Sequence, residues 1–214
     1  MAEERYYKHD GIERFTHWAH MLDTVFLILS GLQIHYPGFS VLGSMQTARF
    51  VHLVSGYLFL FLGVFHVYFF FALGKRKIAM PHLSDFGELG PILKYYLFID
   101  GRKPDYAKYN VLQKFAYAGL FVVSFLQAVF GFALYWPLLF GPVLAFFGGA
   151  VEVRIWHTTI MWVFLSFTAV HVYLVVSEDI RLVKAMVDGY YYRDGEDREA
   201  APASAKAPVI PPAE

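Results

Sequence analysis

The chain has 214 residues, of which 57% are hydrophobic, 19% aromatic and 17% charged, and its formal net charge is zero. That balance is too apolar for an ordinary soluble domain and offers no excess of basic charge for nucleic acid. Cysteine is absent, which excludes thiolate-held iron–sulfur clusters and covalent c-type haem, whose attachment needs Cys-x-x-Cys-His.

The chain opens on a charged, tyrosine-rich segment, residues 1–14, without a clear Ala-x-Ala cleavage site. The first apolar run is therefore expected to be a retained span rather than a removed signal. Four runs approach the roughly 20 apolar residues that a hydrocarbon core requires: about residues 15–34, 50–73, 111–136 and 155–176. None has a central Lys or Arg, although Asp23 lies within the first. A polar connection, residues 74–110, follows the second run and carries Lys75, Arg76, Lys77, Lys94, Arg102, Lys103 and Lys108. Part of it, residues 89–99, is apolar and aromatic enough to lie along a membrane surface. Apolar sequence continues from residue 115 to 151, long for one crossing and short for two. Pro137, Gly141 and Pro142 interrupt it, so one span followed by a surface-hugging loop is expected. Four spans put both ends and the Lys-rich connection on one side, leaving Arg49 and Arg154 on the other. The positive-inside rule then places both termini in the cytoplasm of a multi-pass protein of the cytoplasmic (inner) membrane. Residues 1–195 form one transmembrane domain, and the Ala- and Pro-rich tail, residues 196–214, is expected to be disordered on the cytoplasmic side.

Nine histidines are present, and ionisable residues within membrane spans are costly enough to imply function. His52 and His66 are fourteen residues apart on one span, and His157 and His171 repeat that interval on another. Fourteen helical residues advance about 21 Å and return to nearly the same face. His52 and His157 both begin their helices on the outer side, level with each other, as axial ligands of an outer haem should be. His171 lies deeper and needs a partner among His17, His20 and His66; depth counting favours His66. Arg14, Arg49 and Arg154 precede His17, His52 and His157 by three residues, a spacing that shares a helix face and lets a guanidinium reach haem propionates. That pattern favours His17. Gly31, Gly56 and Gly63 offer close approach to a flat macrocycle or to another helix. The fold class is thus an all-α membrane protein, a four-helix transmembrane bundle binding two b-type haems. Two imidazoles on each iron suit electron transfer rather than oxygen chemistry.

The strings Glu13-Arg-Phe-Thr-His-Trp18, Ala48-Arg-Phe-Val-His52, Tyr96-Leu-Phe98, Gly131-Phe-Ala-Leu-Tyr135, Trp156-His157 with Met161-Trp162, His171-Val-Tyr173, Glu178-Asp-Ile180 and Met186-Val-Asp-Gly-Tyr190 resemble the cytochrome b subunit of membrane-bound nickel–iron hydrogenases. They run in order over roughly residues 12–193. Cytochrome subunits of formate dehydrogenase are similar at the histidines and less so in the connection and tail. The resemblance implies a dihaem protein that docks on its outer face to the small, iron–sulfur subunit of a hydrogenase whose large subunit holds nickel and iron. Electrons would pass through the outer haem, then the inner haem, to a quinone, menaquinone or ubiquinone. By matching motif, His17 and His171 would hold the inner haem, and His52 and His157 the outer. His20, Asp23 and His66 depart from the family pattern. His20 and Asp23, near the cytoplasmic end of the first span beside His17, are candidates for a quinone and proton site, with His66 as the alternative inner ligand. The rival reading from another class is a haem-free proton channel or transporter. The lack of inverted repeats or helices broken at midplane argues against it.

Overall fold

A computed structural model of the chain describes residues 4–74, 80–101 and 110–193. The basic residues Lys75, Arg76, Lys77, Arg102, Lys103 and Lys108, and the tail 196–214, lie outside the described residues. The element order is β1 (Glu4–Tyr7), α1 (Gly11–His35), α2 (Met45–Ala72), a 3-10 helix (Leu83–Glu88), α3 (Leu89–Tyr96), α4 (Val111–Tyr135), α5 (Gly141–Phe146), α6 (Ala150–Glu178), α7 (Arg181–Asp188) and β2 (Tyr190–Arg193).

Three of the described helices, α2, α4 and α6, are long and apolar enough to cross a membrane. Within the protein, each buries 11% of its most apolar stretch, so Phe50, Phe61, Phe125 and Ile155 face outward. Such a surface is stable against lipid and unfavourable in water. The fourth long helix, α1, matches α4 at 25 residues, about 37 Å at 1.5 Å per residue. Its polar load of Glu13, Arg14, His17, His20 and Asp23 keeps it out of that apolar group.

The long helices overrun the apolar stretches because capping, not hydrophobicity, starts them. Before α2, the Ser44 hydroxyl accepts the Thr47 N–H at 3.0 Å, satisfying one of the donors that a helix start leaves open. Gln33, 2% exposed, braces that turn by accepting the Leu42 N–H at 2.8 Å and donating to the Gly43 carbonyl at 2.9 Å. At the start of α4, Asn110 and Gln113 exchange hydrogen bonds of 2.9 and 3.0 Å, each side chain accepting the other's backbone N–H, a reciprocal cap. The apolar stretch 115–151 resolves into α4, a proline turn and the six-residue α5. Gly149 then starts α6 at φ 119°, in a region that side-chain-bearing residues rarely enter.

The chain forms two compact units. Among the described residues, one gathers 4–11, 70–74, 80–101, 110–122 and 181–193. Here β1 pairs antiparallel with β2, Tyr7 opposite Tyr190, and Lys8 and Lys184 stand over the rings of Tyr191 and Tyr192 at 4.6 and 3.7 Å. Asp85 of the 3-10 helix accepts the His82 N–H at 2.8 Å and pairs with Lys114 of α4 at 3.0 Å. The other unit, residues 12–69 and 123–180, holds the rest of the long helices. Its core is Phe130, Val153 and Ile160, with Leu126, Phe147 and Phe164 packed against them.

The Asp85 carboxyl is held below the usual carboxylate range, first by the His82 N–H and then by Lys114. A depressed folded value means that its stabilisation is present above the unfolded value of about 4 and is lost as the pH falls through the folded one. Asp85→Asn is expected to lower the thermal unfolding midpoint at pH 7, with the gap to wild type narrowing toward pH 3. Equal midpoints at pH 7 would show that the pair holds nothing in place.

Candidate functional site: three pairs of facing histidines

All six histidines on the long helices of the second unit, apart from His35 at the end of α1, meet in pairs. His52 of α2 faces His157 of α6 with ring centroids 6.1 Å apart and planes at 81°. His17 of α1 faces His171 of α6 at 6.2 Å and 58°. His20 of α1 faces His66 of α2 at 5.7 Å and 61°. Imidazoles sharing one metal at about 2 Å from a nitrogen of each, with ring centres about 1.1 Å behind, stand about 6.2 Å apart. The first two pairs have that separation; the third is tighter. Depth counting along the sequence favours His66 for His171, whereas the rings that meet are His17 with His171 and His66 with His20.

Around His52 and His157 all four long helices contribute. A Cβ on Gly31 of α1 would lie 3.3 Å from His52 Cε1 and 3.4 Å from Met161 Sδ, and a Cβ on Gly131 of α4 would lie 3.2 Å from His157 Cε1. These two glycines let neighbouring backbone lie against the two rings. A Cβ on Gly56 or Gly63 would meet nothing within 4 Å. His52 Nδ1 is 2.9 Å from the Ser30 hydroxyl. His157 Nδ1 has Gln127 as its polar neighbour, although no hydrogen bond of ordinary geometry reaches it.

Around the other pairs the contacts are aromatic. His171 stacks on Phe167 with centroids 6.0 Å apart and planes at 9°, His17 packs edge-on against Trp18 at 5.3 Å, and His20 does so against Phe59 at 5.7 Å. One turn on from His20, Asp23 is 2% exposed. Ser55 is its polar neighbour, but neither carboxylate oxygen meets hydrogen-bond geometry. A buried carboxyl left this way is costly.

Arg14, Arg49 and Arg154 fall within the first five residues of α1, α2 and α6, where positive charge opposes the helix dipole. Arg49 and Arg154 are exposed and Arg14 half-buried. Among the described residues no three His, Asp or Glu side chains converge as they would around a bare metal ion. Two imidazoles at a time are what the axial positions of a haem take, so these residues fit that group. Ser30, Ser55, Met161 and Gly131 enter the site without having been singled out from the sequence as its members. For one of the two levels a signal existed: Gly31 follows His17 by the same fourteen residues that separate His52 from His66.

Residues 8–189 match the prokaryotic cytochrome b561 family. The chain belongs to that family, an integral membrane b-type cytochrome whose cofactor is haem b. It is similar to the probable Ni/Fe-hydrogenase B-type cytochrome subunit of Azotobacter vinelandii, 32% identical over 86% of this chain and 87% of the relative. The proteins of that name from Cupriavidus necator H16 (30% identical, 86% of each chain) and of hydrogenase 1 from Escherichia coli K12 (28%, 83% of this chain and 86% of the relative) are also similar.

Because a Cβ on Gly131 would press on His157, Gly131→Ala is expected to reduce haem content or alter the reduced-minus-oxidised spectrum. Gly119→Ala, on the same helix with nothing within 4 Å of its Cβ, should match wild type. Indistinguishable spectra for all three proteins would remove Gly131 from the site.

Proposed function

We propose that this chain is the membrane cytochrome subunit of a nickel–iron hydrogenase, carrying electrons from the iron–sulfur subunit through two b haems to the quinone pool. The observation that carries this reading is the equal spacing of two imidazole pairs, 6.1 and 6.2 Å, on helices that set the pairs about 21 Å apart along α6. His52 and His157 would hold the outer haem, and His17 and His171 the inner. Three arginines at unfavourable helix starts, each three residues before one of these ligands, would then face propionates, whose charge offsets theirs.

The four-span topology has separate support. β1 and β2 pair in one ribbon, so the chain between them crosses the membrane an even number of times. Three apolar helices alone give an odd number, and α1 is the remaining helix long enough to make the fourth crossing. The excess of Lys and Arg on the side of that ribbon supports cytoplasmic termini in the inner membrane.

Haem b, when bound, supplies one-electron carriage, and two imidazoles per iron leave no open position for other chemistry. What the protein adds is position and protons. Its histidines fix the two levels, Gly31 and Gly131 let neighbouring helices lie against the outer rings, and apolar helices keep water away. Reduction of a quinone consumes two protons with two electrons, and His20 with Asp23, near the inner pair, would pass them. A formate dehydrogenase would use the same helices in its cytochrome subunit; hydrogenase is favoured because the relatives carry that word in their names.

His157→Ala and His17→Ala are each expected to halve the haem content, whereas His66→Ala should keep both haems. Loss of a haem in His66→Ala would transfer the inner ligand to that residue. Asp23→Asn should slow hydrogen-to-quinone electron flow by roughly tenfold or more while leaving the haem spectra intact. Unchanged flow would remove Asp23 from proton delivery.

A further inference from the structure

The Ser30 hydroxyl has one proton and three neighbours able to accept it. It sits on α1 and is fully buried, 2.6 Å from the Phe26 carbonyl oxygen, 3.2 Å from that of Leu27 and 2.9 Å from His52 Nδ1. The shortest contact is to Phe26, one turn back along the helix, the back-bond that serines within helices commonly make. With its proton engaged there, the hydroxyl oxygen can only accept from His52. That contact therefore requires a hydrogen on His52 Nδ1. In a neutral imidazole this leaves the lone pair on Nε2.

We propose that Ser30 is a positioning residue: it fixes His52 in the Nδ1–H tautomer, presents Nε2 to the outer haem iron and raises the electron donation of that imidazole. Such partners behind metal-bound histidines set ring orientation and ligand basicity. A more basic ligand favours the oxidised iron, so Ser30 holds the outer haem at a lower potential than it would otherwise have. Gly31, the next residue, closes the arrangement, since its hydrogen faces the His52 ring where a Cβ would stand 3.3 Å away. The site is asymmetric, because His157 Nδ1 has no hydrogen bond of comparable geometry.

The inference rests on the dihaem reading above, and the test separates the two. Wild type, Ser30→Ala and Ser30→Thr are purified in the intact membrane complex, then compared by optical redox titration and by the low-spin ferric EPR signals of the haems. In Ser30→Ala the outer haem is expected to titrate at a more positive potential with a shifted EPR signal, the inner haem staying as in wild type. Ser30→Thr, which keeps a hydroxyl, should return both toward wild type. Loss of the outer haem alone in Ser30→Ala supports the same role. Unchanged potentials and signals would overturn it, and so would equal changes at both haems, which would mark Ser30 as a packing residue. A wild type without haem would defeat the dihaem reading itself.

Discussion

Imidazoles from different helices that meet at a metal-bridging distance constrain more than their own rotamers. For His52 and His157 to stand 6.1 Å apart, α2 and α6 must present the same depth to each other. The fourteen-residue interval then carries that registration about 21 Å along each helix. α6 contributes to both matched pairs, meeting α2 through His157 and α1 through His171. Helices in a bilayer lack a hydrophobic force between them and rely on packing, small residues and polar contacts. On the proposed reading, the histidines and the glycines at Gly31 and Gly131 supply those contacts at one level, around the group placed there.

The second consequence concerns polar groups in an apolar setting. Ser30, Gln33 and Asp23 are all on α1, and all are nearly fully buried. Gln33 closes the turn into α2 and Ser30 meets His52, so both have partners that explain them. Asp23 does not, since its oxygens lack hydrogen-bond geometry. The helix with the least apolar composition of the four is thus the one on which the polar contacts concentrate. On the proposed reading, α1 is tolerated in the membrane because its polar side chains face ligands, caps and a proton site rather than lipid.

Much of the helical layout could be read from apolar run length, since a hydrocarbon core sets a minimum that few other constraints imitate. The ends could not. Met45 and Ala150 start their helices five residues before the apolar runs, where Ser44 and Gly149 shape the backbone. The Asn110 and Gln113 cap joins polar side chains that lie outside the hydrophobic signal. Within the site, spacing gives depth along a helix and says little about azimuth. That is why His171 had three candidate partners in sequence and one facing ring in the fold. Ser30 was illegible for a related reason: its contact with His52 joins residues 22 positions apart on different helices, and an isolated serine in an apolar run carries no mark of its partner. The ribbon between Glu4–Tyr7 and Tyr190–Arg193 was hidden too, because its tyrosines and cations read as an ordinary charged interface.

Quantitation of haem against protein in the purified, intact complex, by the pyridine haemochrome spectrum, tests the central claim most directly. The account predicts two b-type haems for each copy of this chain. A single haem would contradict the paired assignment, and none would contradict electron carriage by these histidines altogether.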